Sequence, residues 1–323
     1  MIRKNKIIIL IGILIIIIGA SLTFYNIQNK PSNISEEERE FGKIKEDKRP
    51  LTIIDDTGSA ITIPEEPQRI ISTAPSNTEI LFALGLENKI VGVTNYCNYP
   101  EKVNNVEKIG EMTPLNLEKI VSLKPDLILC YGLYQLGEIA PLKDAGYNII
   151  IIEPMTINET LKSIKMVATI CGITEKGNSL VESLTQRINK IRTKTSNINI
   201  SKRPKIFIGG IYETVWTPGE GTLFNELITL AGGRNIAASL PGWAKISQEF
   251  VAKEEPEIII IPIGAMGQFD KSNIKENISK RAGWSNVPAI KSGKIFVVNE
   301  DLFYRASPRL IDGLEKLYEI FYE

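Results

Sequence analysis

From Leu51 onward, short runs of branched aliphatic residues alternate with stretches in which apolar residues recur at helical spacing. LTII and AITI alternate in hydrophobicity on either side of Asp56 to Gly58, which predicts a β-hairpin. Residues 69–73 predict a strand that passes through Pro75 and Ser76 into a helix ending near Gly85. Further strands are predicted at 90–94, 126–131 and 148–153, and helices at 116–123 and 135–145. Two helical patterns then follow each other directly, 157–171 and 176–195, the second long and polar along one side. After Pro204 the alternation restarts with KIFIGGIY, LFNELITLAGG and GKIFVVNE, and it ends in a helix over 308–322. Strand and helix alternating at this spacing build mostly parallel sheets covered by helices. The expectation is an α/β chain of two parallel-sheet lobes, 51–173 and 204–323, joined by a single long helix at 174–203. A stiff strut of that kind predicts small hinge motions rather than wide closure.

A repeat links the lobes. NLEKIVSLKPDLIL begins at Asn116 and SQEFVAKEEPEIII at Ser247, and both run through the same steps. A capping residue is followed two positions later by a glutamate (Glu118, Glu249), then a short amphipathic helix, a proline (Pro125, Pro256), an acid (Asp126, Glu257) and an aliphatic run suited to a buried strand. An acid in a first helical turn is favoured by the macrodipole in any protein. Its recurrence at the same place in both lobes points to a docking role, with charge steering a partner's approach.

The chain's first residues have another pattern. Arg3, Lys4 and Lys6 precede an apolar run from Ile7 to Ala20 that Leu22, Phe24 and Tyr25 extend towards spanning length. Residues 1–25 therefore predict an N-terminal hydrophobic helix, an export signal retained as an anchor in preference to being cleaved, with the remainder outside the membrane. The first cysteine is Cys97, so none stands just after the apolar run to take a lipid. Residues 26–50 are charged and polar, the composition of a solvated tether.

Composition narrows the chemistry. Lys plus Arg and Asp plus Glu both number 38, and this balance argues against a nucleic-acid partner. There is no histidine, which removes the commonest general base and transition-metal ligand. No phosphate-binding glycine loop follows a strand. Cys97, Cys130 and Cys171 are too few and too scattered for a metal cluster or a full disulfide framework; buried thiols and one disulfide both remain open. The expectation is a monomeric binding protein that is not an enzyme and carries no resident cofactor or metal. Its rivals are an anchored α/β hydrolase working through carboxylates, which lacks a GxSxG nucleophile motif here, and an anchored module that binds no small molecule.

Aromatic residues outside helices are candidates for lining a ligand cleft, because open α/β sheets bind ligands at the carboxyl ends of their strands. They are Tyr96, Tyr131, Trp216, Trp243, and Phe303 with Tyr304. Pro241 and Gly242 are expected to hold Trp243 in a turn. Arg305 and Arg309 flank the turn ASP at a helix start, suited either to a cap or salt bridge or to contact with an anionic or amide-bearing ligand.

Together QRIISTAPSNTEILFALGL, GVTNYCNYP, IGEMTPLNLEKIVSLKPDLIL, LAGGRNIA and LFYRASPRLIDGL resemble the extracytoplasmic substrate-binding proteins of ATP-driven importers for vitamin B12 and iron siderophores. The resemblance spans residues 51–323 and is closest to the B12 binders through NYCNYP and FYRASPR. It implies two lobes joined by one long helix, a ligand in the shallow cleft between them, and a glutamate on each lobe, Glu118 and Glu249, engaging arginines of a membrane permease. Through the permease it implies an ATPase. Corrin-contacting aromatics would fall at Tyr96, Trp216 and Trp243. Met112, Tyr131 and Leu302 stand where B12 binders tend to have tryptophan, so stacking on a corrin would be thinner. The implied cargo is cobalamin or a related corrinoid, with a ferric siderophore as the alternative. Haem comes third, since without histidine a tyrosine would have to ligate its iron.

Overall fold

The computed structural model describes residues 49–132, 135–209, 215–264 and 273–323, and Lys48–Glu323 forms one compact unit. The expected anchor at 1–25 and nearly all of the tether lie outside the described residues. Among the described residues, no helix is long and apolar enough to cross a membrane.

The N-terminal lobe runs β1 (Leu51–Ile54), β2 (Ala60–Ile63), β3 (Ile70–Ser72), α1 (Pro75–Ala83), β4 (Ile90–Val93), α2 (Leu117–Ser122), β5 (Leu127–Tyr131), α3 (Leu136–Asp144), β6 (Ile149–Ile152) and α4 (Ile157–Ile170). Helix α5 (Thr174–Ser196) follows. The C-terminal lobe runs β7 (Lys205–Ile208), β8 (Val215–Pro218), α6 (Leu223–Leu230), β9 (Arg234–Asn235), β10 (Trp243–Ile246), α7 (Gln248–Glu254), β11 (Ile258–Ile263), α8 (Ile274–Ser279), α9 (Pro288–Ser292), β12 (Ile295–Asn299), α10 (Asp301–Tyr304) and α11 (Leu310–Tyr322).

Each lobe is built on a four-stranded sheet with every pairing parallel, in the orders β4-β3-β5-β6 and β9-β7-β11-β12. The two orders correspond strand for strand, so the lobes share one topology. Strands β6 and β11 are continuous aliphatic runs, IIII and IIIIPI, buried at every position because helices cover both faces of the sheets. The hairpin forms where the alternation predicts, β1 antiparallel to β2, with Gly58 at φ 78° in the turn. Its Asp55 and Asp56 carboxylates accept from the N–H groups of Ile151 and Glu153 at 3.2 and 2.6 Å, which covers the open edge at β6.

The repeat seen in the sequence extends to individual hydrogen bonds. Asn116 caps α2 by accepting from Lys119 N, and Ser247 caps α7 by accepting from Phe250 N. Each helix stops before its proline at a left-handed residue, Lys124 (φ 47°) and Glu255 (φ 52°), the only non-glycine residues with positive φ among those described. Past the proline, the Asp126 carboxylate accepts from the Gln68 and Arg69 N–H groups, and the Glu257 carboxylate accepts from Lys205 N. The acid thus ties the start of its own strand to the start of the neighbouring one. Arg69 and Lys205 return the favour, donating to Leu123 O and Glu254 O at their helix ends.

Helix α5 buries Gly177, Val181, Leu184, Ile188, Ile191 and Thr195, a stripe at helical spacing. The stripe packs on α4 of one lobe and on α6 and α11 of the other. A single apolar core consequently runs from Ile70 and Leu129 through α5 to Ile206, Phe224 and Leu314. Continuous close packing of this kind resists wide opening of the lobes.

Cys97, Cys130 and Cys171 are free and buried, so the disulfide alternative does not hold. Burial pushes the Cys130 and Cys171 thiols up to about 12. We expect iodoacetamide at pH 8 to modify none of the three in the folded protein and all three in guanidinium. Mass spectrometry showing rapid native labelling at any of them would contradict this burial.

Candidate functional site

The carboxyl ends of both sheets open onto one interlobe cleft. Following β3, Ala74, Pro75 and Ser76 start α1; Tyr131 ends β5; Glu300, Asp301, Tyr304 and Arg305 follow β12. With Tyr96 and Met112 they line a cavity of about 150 Å³. An adjoining cavity of about 170 Å³ is lined by Tyr131, Pro154 and Met155 from the N-terminal lobe, and by Thr222, Leu223, Phe224, Trp243, Phe303 and Tyr304 from the C-terminal lobe. Tyr131 and Tyr304 line both, so the two cavities form one cleft with a polar part and an aromatic part.

A chain of rings builds the aromatic part. Phe303 stacks on Phe224 at 4.9 Å, Tyr304 meets Phe224 edge-on at 5.5 Å, and Trp243 meets Tyr304 edge-on at 5.4 Å. Phe303 lines the second cavity from beneath. It is 0 % exposed and belongs to the continuous core. The helical turn of α10 sends consecutive side chains in different directions, so Phe303 turns inward as backing and Tyr304 presents the outer ring.

Trp216 and Trp243 also differ from their expected loop positions. β8 and β10 pair antiparallel, with Trp243 opposite Pro218 and Lys245 opposite Trp216. Alternation along the strands puts Trp216, Trp243 and Lys245 on one outward face, with Val215 and Ile246 on the inward one. Gly242 precedes Trp243 at φ 57°, so the anticipated turn ends where the strand begins. Trp243 (48 % exposed) lines the cleft; Trp216 (54 % exposed) stands beside it on the ribbon and lines neither cavity.

The polar part is held by residues whose role the sequence does not reveal. Gln135 is fully buried. Its Oε1 accepts from Tyr131 N at 3.1 Å and from Thr73 Oγ1 at 2.7 Å, while its Nε2 donates to Met112 O at 2.8 Å. One amide thereby fixes the backbone at both Met112 and Tyr131. Arg305 forms salt bridges to Asp301 (2.8 Å) and to Glu79 (2.9 Å), so the salt-bridge reading of this arginine holds while the side chain still lines the cleft.

Three phenols face the site. Hydrogen bonding to the Glu111 carboxylate raises Tyr96 above the ordinary tyrosine range and lowers Glu111. Burial, reinforced by Glu153, raises Tyr131; burial, reinforced by Glu300, raises Tyr304 further. All three stay protonated at neutral pH as neutral hydrogen-bonding groups. Among the described residues, no cluster of acids and cysteines is arranged to hold a metal ion.

Glu118 and Glu249 lie outside the cleft. Each is the exposed second residue of its helix, α2 or α7. The Ser247 hydroxyl, together with backbone N–H, lowers the Glu249 carboxyl below its usual range.

Two sheet lobes of one topology, braced by a long helix and opening their strand ends onto a shared cleft, define a solute-binding protein of the rigid, two-lobed class. The chain belongs to the periplasmic binding protein family, whose model matches residues 70–302. It is 35 % identical over 295 residues to the uncharacterized ABC transporter substrate-binding lipoprotein YvrC of Bacillus subtilis (strain 168), covering 90 % of this chain and 91 % of that one. It is 30 % identical over 262 residues to the vitamin B12-binding protein of Yersinia pestis (strain Pestoides F), covering 80 % of this chain and 88 % of that one. Among solved structures, the periplasmic heme-binding protein RhuT of Roseiflexus sp. RS-1 matches 79 % of this chain and 98 % of its own, with a TM-score of 0.67 and 26 % identity.

Proposed function

We infer that this protein is the extracytoplasmic substrate-binding component of an ABC importer, and that it captures a corrinoid in the interlobe cleft for delivery to a membrane permease driven by an ATPase. The importer role is supported by family membership and by the likeness to YvrC; the corrinoid by the likeness to the Yersinia B12 binder. The observation that carries the reading is the division of the cleft. Its aromatic part, Tyr304 and Trp243 backed by the buried Phe224, offers ring faces and edges to a broad flat ligand. Its polar part sets Arg305 and Asp301 side by side, a donor and an acceptor suited to the carboxamide arms of a corrin. A corrinoid brings its cobalt already held by the macrocycle, so the cleft need supply no metal ligand. Protonated Tyr96, Tyr131 and Tyr304 suit that role better than ligation of haem iron, although the likeness to RhuT keeps haem as the second reading.

Cyanocobalamin is expected to quench the fluorescence of Trp243 and, more weakly, Trp216. Trp284 lies in the C-terminal core, its indole N–H donating to Gln248 O, and should keep its emission as an internal reference. Titrations with a ferric siderophore and with haemin complete the comparison. Saturable quenching by cyanocobalamin supports the corrinoid; a flat cyanocobalamin curve beside a saturable one for either rival transfers the function to that ligand.

A further inference from the structure

Glu79 belongs to α1 of the N-terminal lobe and its side chain is 1 % exposed, yet its polar partners come from the opposite lobe. Its Oε1 accepts from Arg305 Nη1 at 2.9 Å and from Arg309 Nη1 at 3.1 Å, and its Oε2 accepts from Ser307 Oγ at 2.6 Å. A carboxylate buried this deeply persists only with full compensation, and here the compensation crosses the lobe boundary.

The two arginines then diverge. Arg309 lies over the Tyr99 ring at 3.8 Å and lines neither cavity. Arg305 lines the polar part of the cleft with both of its terminal nitrogens engaged: Nη1 also donates to Asn98 Oδ1 at 2.7 Å, Nη2 donates to Tyr96 O at 3.4 Å, and Nη2 stands 2.8 Å from Asp301 Oδ1. Asn98 Nδ2 closes the ring by donating to Asp301 Oδ2 at 3.3 Å. The cleft's arginine is therefore immobilised and paired with two carboxylates, while Glu300 adds a third acid to the lining. An incoming anion would meet no uncompensated positive charge there. A neutral carboxamide meets a fixed carboxylate edge and a polarised guanidinium, without having to break an ion pair.

We propose that Glu79 is a positioning residue for ligand selectivity: by pinning and neutralising Arg305 across the lobe boundary, it makes the polar part of the cleft a site for neutral, amide-bearing groups and turns away anionic ligands such as ferric catecholates. The proposal rests on the corrinoid reading above and assigns a reason for its preference over anionic siderophores. Glu79 itself never touches the ligand; it acts through Arg305.

The test compares the full-length protein, solubilised in detergent, with its Glu79→Gln and Arg309→Gln variants, each titrated with cyanocobalamin and with a ferric tris-catecholate. Glu79→Gln keeps the shape and removes the charge. It should weaken cyanocobalamin binding about tenfold, as expected for loss of a charged hydrogen bond that orders a contact residue. It should also raise affinity for the catecholate by about tenfold or more, in a salt-dependent manner. Arg309→Gln disturbs the same buried carboxylate from the side away from the cleft, so it should lower Tm while leaving the preference between the two ligands unchanged. If both variants lose Tm alike and both keep the wild-type preference, Glu79 is merely structural and the proposal fails. Should Glu79→Gln not fold, Asp301→Asn strips the other carboxylate from Arg305 with Glu79 in place; a gain in catecholate binding supports the proposal and its absence overturns it. A wild-type protein that ignores cyanocobalamin sinks the corrinoid reading alone, because the catecholate comparison still reports on selectivity.

Discussion

Reversing the charge at both Glu118 and Glu249 is expected to abolish ligand uptake through the permease while cyanocobalamin affinity changes by less than about twofold. Both carboxylates are exposed at equivalent helix starts, and neither lines the cleft. If each enters a basic socket on a partner, removing one partner of such a pair costs about 2–5 kcal/mol, and reversal adds repulsion to the loss. Two reversed sites would then leave no measurable complex at ordinary protein concentrations. Folding should tolerate the change. A cation in a first turn opposes the macrodipole by only about 0.3–1 kcal/mol per helix. Uptake of labelled cyanocobalamin into proteoliposomes carrying the cognate permease, alongside titration of the purified variant, separates the possibilities. Intact uptake by the double variant rules out docking through these residues, and lost ligand affinity would instead move them into binding. Because Ser247 and backbone N–H hold the Glu249 carboxyl below its usual range, its charge persists as pH falls. Docking through Glu249 should accordingly survive mild acidification.

The second large effect is expected at Trp243. Replacing it by alanine removes the outermost ring of the cleft's aromatic chain and should cost about 2 kcal/mol or more of binding, about thirtyfold in Kd. Since the side chain is half exposed, Tm should move little. Trp216→Ala, on the same ribbon face but outside both cavities, should weaken binding far less. Phe303→Ala makes the opposite case. That ring is fully buried against Phe224, and its loss should destabilise the fold by about 3–5 kcal/mol, with any change in affinity secondary to that. Isothermal titration and thermal melts on the three variants check the pattern. Equal affinity losses at Trp216 and Trp243 would mean that the ligand lies along the ribbon and not in the cleft.

Much of this architecture was legible in the residue order because the signals are local. The β5, β6 and β11 strands announce themselves as unbroken aliphatic runs, and α5 as a long amphipathic stripe. The glutamate repeat carries its own cap, proline and acid, so its helix limits follow from position, while the hydrogen bonds that the acid accepts from the neighbouring strand's start emerge only in the fold. The β8–β10 ribbon escaped the reading for a physical reason. Each strand has four residues, β8 ends in a proline, and each is a strand only because the other lies beside it. Phe303 and Tyr304 are adjacent aromatics of similar size, and nothing local says which faces the core.

Glu79 and Gln135 were missed on the same grounds. A glutamate inside SNTEILFALGL and a glutamine at the start of a helix read as ordinary polar positions. Their partners Arg305, Arg309 and Ser307 in the one case, and Thr73 and Met112 in the other, are distant in the chain, and only folding brings them within hydrogen-bonding reach.

The order of residues by itself determined the two parallel-sheet lobes, the strut between them and the paired acids at the helix starts, since each depends on periodicity or spacing within a few turns of chain, and its motifs carried the resemblance to the family. Tertiary structure alone decided which aromatics surface the cleft and which back it, that a two-stranded ribbon carries the tryptophans, and that a buried carboxylate from one lobe grips the arginine of the other. Those outcomes depend on where side chains from distant segments converge and on how burial sets the terms of their charges, and a linear pattern does not encode either.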